Sequence, residues 1–196
     1  MASAEQRRAG VRKAYSAAAE GPQDEHPFPV GRAFALSLGY PEDLLDALPA
    51  VSVEAFSGVS NVSLFADIPA GAIVLDLGCG AGLDTLVAAR RVGPTGKVIA
   101  IDFSGPMLAR ARRAAEEAKA VNVEFHQVDA ERLPLPSAAV DLALVNGIFN
   151  LNPARDAIFR ELARVVRPGG SVYAAELILT EPLPPEEQAS ELNWFA

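Results

Sequence analysis

"VLDLGCGAGLD", residues 74–84, carries an apolar run with one acid, Asp76, into three glycines within five positions, Gly78, Gly80 and Gly82. An apolar run, a glycine turn and the start of a helical pattern make a strand–turn–helix joint. Glycine there lets the backbone take positive φ and lets a ligand lie against bare main chain, with the next helix pointing its N-terminus at the site. The joint is the first of a series. From residue 72 onward the apolar runs "AIVLDLG", "KVIAIDF", "VEFHQVD", "VDLALVNG" and "SVYAAELIL" alternate with helical patterns near 83–92, 105–120 and 153–166. Buried parallel strands covered on both faces read this way. Right-handed crossovers between them build an α/β fold, an open doubly wound sheet of five parallel strands in the order 3-2-1-4-5. Asn152 is the expected N-cap of the last helix, with Pro153 at its first position, and "RPGG" (167–170) returns the chain to the fifth strand. "AERLPLPSAA" (130–139), with prolines at 134 and 136, reads as a loop in place of a full helix.

Upstream, residues 4–19 are alanine-rich with basic residues at helical spacing, and Gly21 and Pro22 stop the pattern. The proline- and glycine-rich stretch 21–41, which includes "HPFPVGR", reads as an ordered connector. A short helix follows around Pro41 to Leu48 and ends at Pro49. This divides the chain into an N-terminal helical and loop extension (1–65) that serves as lid or cap, a ligand-binding domain (66–181) and a C-terminal tail (182–196).

The 196 residues suit a single core, and half of them are hydrophobic. A net charge of -8 lacks the basic stripe a phosphate backbone requires, so no nucleic acid is expected as partner. Cys79 is the only cysteine, which excludes an intrachain disulfide and a thiolate metal cluster; no metal is expected, and a reducing cytoplasmic location fits. The N-terminus has no apolar leader core and no run reaches the roughly 18 apolar residues of a membrane span, so no membrane partner is expected.

Ligands of such sheets bind outside the carboxyl ends of the strands. A dinucleotide fingerprint needs GxGxxG, but Leu83 stands where the third glycine belongs, and no GxxxxGK[ST] is present. Asp76 disfavours phosphate and suits a cationic ammonium or sulfonium ligand, of which S-adenosylmethionine is one. Asp102, ending the second strand, places a carboxylate where both ribose hydroxyls can donate to it. Phe103 can lie against an adenine, and Asp129 or the Ala130 amide, at the third strand's end, can read its amino edge. Asn146 ends the fourth strand beside the expected methyl-donor position. Gly78, Cys79 and Gly80 supply the bare turn.

These residues resemble the class I S-adenosylmethionine-dependent methyltransferases, with their Rossmann-like sheet, over about residues 73–181. The match is carried by "VLDLGCGAG", "VIAIDFSGPML", "NVEFHQVDAERLPLP", "VDLALVNGIFNLNP" and "ELARVVRPGGSVYAAELILTEPLP". "RRVGPTGKVIAIDFS", the "NLNP" run and the upstream "LGYPEDLLDALP" are most similar to the arsenite methyltransferase branch, with the ubiquinone/menaquinone methyltransferases as near relatives. The resemblance implies S-adenosylmethionine as cofactor and a small-molecule methyl acceptor. It also implies that the loop matching "FSGVSNV" closes on the methionine end, which makes Asn61 and Ser60 candidate contacts. Arsenite methyltransferases hold the metalloid through cysteine thiolates. Here "HPFPVGR", "SGVSN" (57–61) and Gly147 occupy the matching places without cysteine, so arsenite is not the expected substrate; Cys79 packs inside the turn.

Methyl transfer from a sulfonium needs no obligatory catalytic dyad. If the acceptor does need a base, His26 and His126 are the candidates. His126 sits in the third strand with parity opposite to Asp129 and reads as an ordinary strand histidine; His26 and Tyr15 read as a loop residue and a packing residue. "NGIF" (146–149) lacks the proline-proline-aromatic run of nucleic-acid amino-methyltransferases. The family usually adds two strands after the fifth, whereas "EPLPPEEQASELNWFA" (181–196) suffices for a loop and one helix. The chain is therefore expected to be cut short or to form a homo-oligomer across the strand-five edge. A cofactor-binding or oligomer-forming module without catalysis is the competing function, and a nicotinamide oxidoreductase a third.

Overall fold

The computed structural model describes residues 3–178 and 181. The chain opens on α1 (Ala4–Glu20), whose start is fixed by a capping box between Ser3 and Gln6 and whose end is set at Gly21. Four short helices follow: α2 (Arg32–Ser37), α3 (Glu42–Asp46), α4 (Ala50–Val53) and α5 (Val62–Phe65). The sheet then alternates with longer helices as β1 (Ile73–Leu77), α6 (Leu83–Val92), β2 (Lys97–Asp102), α7 (Gly105–Glu117), β3 (Val123–Gln127), β4 (Val140–Asn146), α8 (Arg155–Val165) and β5 (Val166–Ala175). The strands lie in the order β3-β2-β1-β4-β5, and every pairing is parallel.

Side-chain alternation along the strands divides the core into two layers. Val74, Val98, Leu142 and Leu144 pack against Ala88, Ala89 and Val92 of α6 and Val62 of α5. Leu75, Leu77, Ile99, Ile101, Ala143 and Val145 face the other way, onto Ile158, Leu162 and Val165 of α8. The β3–β4 crossover forms no helix. It lays Leu133 and Leu135 on the α8 face through a run of turns and bends.

Three local expectations are corrected. The 21–41 stretch is not all connector: Gly31 turns the chain at φ +92° and six residues without proline then wind α2. The α8 N-cap is Ala154, not Asn152; Asn152 Oδ1 instead accepts from Ala154 N at 2.8 Å, an Asx turn ahead of the helix. Strand β5 begins at Val166, ahead of "RPGG", which is accommodated as a bulge because the register shifts from Val140–Val166 to Leu142–Ser171. β5 forms one edge of the described sheet, opposite β3, with Val172 on it and Leu177 and Ile178 beyond it exposed. Leu179 of the "SVYAAELIL" run and the 182–196 tail lie outside the described residues.

Candidate functional site: the cleft at the strand exits

The exits of β1, β2, β3 and β4 open into one cleft of about 1100 Å³, part of it open to solvent. The turn after β1 is pinned to β2, since Gly78 N and Cys79 N both donate to Ile101 O at 2.8 and 2.9 Å. Two of its glycines do different work. Gly78, at φ +79°, has no room for a side chain, because a Cβ would sit 2.4 Å from Ile148 Cγ2. Gly80, at φ +52°, has nothing within 4 Å of that position, so its bare main chain faces open space.

Asp102 stands opposite. Its Oδ2 accepts from Gly80 N at 2.9 Å and its Oδ1 from Ser104 N at 2.8 Å. Burial raises its pKa to about 6 against the pull of those amides. Each carboxylate oxygen keeps further acceptor capacity. Asp76 is buried, accepts from Thr85 Oγ1 at 2.5 Å, and is raised to about 8 by burial and then by the charge of Asp84. Cys79 is buried against Ala100 and Leu108, and burial pushes its thiol well up, so it contributes packing and no thiolate.

At the β3 end, the Arg12 guanidinium of α1 lies 5.5 Å from the Phe103 ring centre and pairs with Asp129 at 2.9 Å. Arg8, one turn earlier, pairs with Glu131 at 2.6 Å. Phe103, Asp129 and Ala130 all line the cleft, yet the Asp129 carboxylate is engaged by Arg12 and the ring carries that cation. α1 is thereby part of the cleft wall, with Val11 and Tyr15 also lining it. Its C-terminal half is anchored where Ser16 and Ser104 share a hydrogen bond and Arg110 donates to Ala19 O.

Asp76, Gly78, Cys79, Gly80, Asp102, Phe103, Asp129, Ala130 and Asn146 thus meet in one cleft. Asn61 does not join them. It precedes α5, and neither it nor Ser60 is part of the lining. His126 Nε2 lies 2.7 Å from Glu124 Oε1, on β3 and away from the cleft. His26 Nε2 bonds Gly21 O at 2.8 Å, also outside. Tyr15 does reach the cleft; burial, then Asp102 and Glu176, push its phenol up, so it stays protonated and is a donor rather than a base. Sequence reading missed Asp84. It is buried at the start of α6 and accepts from Tyr40 Oη at 2.5 Å, from Ser63 N at 3.4 Å, from Ser63 Oγ and from Asn146 Nδ2 at 2.9 Å. An acid in a helix's first turn usually faces solvent and offsets the dipole, and only the packing of α2–α5 over α6 buries this one.

Residues 68–194 match the family model described as "Methyltransferase domain". The chain belongs to the methyltransferases of class I, the S-adenosylmethionine-dependent fold family. Among curated relatives of this methyltransferase-family chain, an arsenite methyltransferase of Halobacterium salinarum is 38% identical over 131 residues, covering 67% of this chain and 34% of the relative. A demethylmenaquinone methyltransferase of Lactococcus lactis is 37% identical over 123 residues, covering 62% and 48%. The crystal structure of an arsenic(III) S-adenosylmethionine methyltransferase from Chlamydomonas reinhardtii superposes with a TM-score of 0.63 at 26% identity, covering 86% of this chain and 57% of that one. The chain therefore spans a third to a half of the length of these curated relatives.

The family's cofactor is S-adenosylmethionine, and the residues present fit it. Gly80 offers a backbone cradle that any side chain would fill. Asp102 has acceptor capacity for a pair of hydroxyls, and the buried acid Asp76 suits a cation.

Proposed function

We propose that this methyltransferase-family chain binds S-adenosylmethionine along the β1–β3 exits and directs its methyl group to a small, neutral, largely apolar acceptor. The observation that carries the reading is the open main chain at Gly80 facing the Asp102 carboxylate across a single cleft. When bound, the cofactor supplies an electrophilic methyl on a sulfonium with a good leaving group. The chain's part is positioning, which for well-oriented partners is worth roughly 7–11 kcal/mol. Asp102 accepts from the ribose hydroxyls, the Gly78–Ala81 main chain lies against the nucleoside, and Asp76 balances positive charge. The rest of the cleft wall includes the apolar side chains of Val11, Phe56, Ile148, Leu151 and Ile158, with Tyr15 beside them as a phenol that stays protonated. Such a wall holds an apolar ring or chain by area burial and orients one oxygen by a hydrogen bond.

Arsenite is disfavoured by the same geometry. Two of the three places that the resemblance pairs with thiolates do meet, since a Cβ on Gly147 would lie 2.9 Å from Val59 Cγ1, but they meet without sulfur. As(III) is soft and thiophilic. The name of the Lactococcus lactis relative points to a demethylmenaquinone, so a molecule of that class, tried in its reduced quinol form, is the first acceptor to test.

Calorimetry with S-adenosylmethionine should show saturable binding, and S-adenosylhomocysteine release should follow with a neutral quinol and not with arsenite plus glutathione. Binding without release from any acceptor favours the non-catalytic module; no binding at millimolar concentration sinks the proposal. The binding also has a proton signature. With its pKa at about 8, Asp76 is mostly protonated at pH 7 in the free protein, and a neighbouring cation favours its ionised form. S-Adenosylmethionine binding at pH 7 should therefore release on the order of one proton, read from calorimetry in buffers of different ionisation enthalpy. The release should vanish in Asp76→Asn.

A further inference from the structure

We infer that Asn146 is a positioning residue, a clasp that holds the 57–60 loop against the exit of β4, and that its amide does not itself touch the ligand. The inference rests on the binding reading above and assigns one residue's part in it. A primary amide has two donor hydrogens and two acceptor lone pairs. Asn146 uses all four: Oδ1 accepts from Val59 N at 2.8 Å and Ser60 N at 3.1 Å, while Nδ2 donates to Ser60 O at 2.7 Å and Asp84 Oδ2 at 2.9 Å. The amide stands on the cleft wall with no hydrogen-bonding capacity left for a guest.

Its orientation is dictated rather than free. Two backbone N–H groups require an oxygen on one side, and the Asp84 carboxylate, already accepting from Tyr40 and Ser63, requires a donor on the other. The loop depends on this contact. Ser57 to Ser60 make no backbone–backbone hydrogen bond among the described residues, so apart from Tyr40 Oη donating to Ser60 O at 3.3 Å, the Asn146 amide is their polar anchor. The fit is close, because a Cβ on Gly58 would lie 2.5 Å from Asn146 Nδ2. What the clasp holds is a wall of the site: Phe56, Ser57 and Gly58 line the cleft, as do Gly78 to Ala81. Released, that wall opens the cleft to water and loosens the grip on whatever lies against the glycine turn.

The test uses the full chain with Asn146→Ala and, from the loop side, Gly58→Ala, whose Cβ would crowd the Asn146 amide and push loop and amide apart while leaving the amide group in place; Gly58 has no positive φ to strain. In the free protein, amide exchange at Val59 and Ser60 should rise at least about tenfold in both variants, with Leu75 and Ile99 unchanged. Stopped-flow binding of S-adenosylhomocysteine should show the dissociation rate rising about fivefold or more in both, with association little changed. Unchanged exchange overturns the clasp. Faster exchange with unchanged dissociation overturns its role at the site. Faster dissociation in Asn146→Ala alone assigns the amide to direct ligand contact and also overturns the proposal. If the unmodified chain binds no S-adenosylhomocysteine, the binding reading falls and the positioning role with it, while the exchange data still decide whether the clasp exists.

Discussion

Asp102→Ala is expected to weaken S-adenosylmethionine binding about 100-fold while leaving the fold standing. Hydrogen bonds to a charged acceptor are worth roughly 1.5–3 kcal/mol each, and two from vicinal hydroxyls correspond to at least about 3 kcal/mol, or two decades in Kd. Stability should move by no more than about 1 kcal/mol, because two effects oppose one another. Removing the carboxylate orphans Gly80 N and Ser104 N. It also relieves the burial that raises the carboxyl to about 6. With the folded pKa above the unfolded value, the free protein loses stability as pH rises through 6, so at pH 7 the ionised group is a net burden without its ligand. Calorimetry and thermal unfolding, run on the same variant, separate the two quantities. Affinity within twofold of the unmodified chain would remove Asp102 from the ribose role.

The second large effect is on stability. Asp84→Ala should cost about 3 kcal/mol or more, since each buried donor left without an acceptor costs roughly 1–3 kcal/mol and this carboxylate serves Tyr40, Ser63 and Asn146 together. The site lies under α2–α5, where Tyr40 packs edge-on to Phe56 at 5.2 Å and both are buried, so water reaches the orphaned groups poorly. Denaturant unfolding measures the loss, and the midpoint should fall without change in slope. A loss under 1 kcal/mol would mean that the helical layer over α6 is held by its apolar contacts alone.

Much of the cleft was legible before any coordinates. Gly78, Gly80, Asp76 and Asp102 were placed at or beside strand ends because apolar runs alternating with helical patterns read as buried parallel strands, and ligands of such sheets bind outside their carboxyl ends. That the Asp129 carboxylate is paired was not legible in the sequence, for a physical reason. Its partner Arg12 is 117 residues away, and no local pattern couples a helix surface to a strand end at that separation. Asn61 and Asn146 show the same limit from opposite sides. Asn61 was a candidate through the resemblance of its loop to one that closes on the cofactor, and Asn146 through its place at the end of the fourth strand. In the folded chain one stands outside the cleft, and the other has its whole hydrogen-bonding capacity taken by the loop it faces.

Apolar periodicity and glycine spacing alone determined where the strands lie and where the turn falls, since these follow from which residues can be buried and where the backbone must bend; the parallel order followed from the right-handed doubly wound pattern they imply. Tertiary packing alone decided that α1 closes over the β3 exit, that Asp84 is buried under α2–α5, and that Asn146 holds a loop. Each of these depends on groups far apart in the chain satisfying one another away from water, and that pairing exists only after the chain has folded.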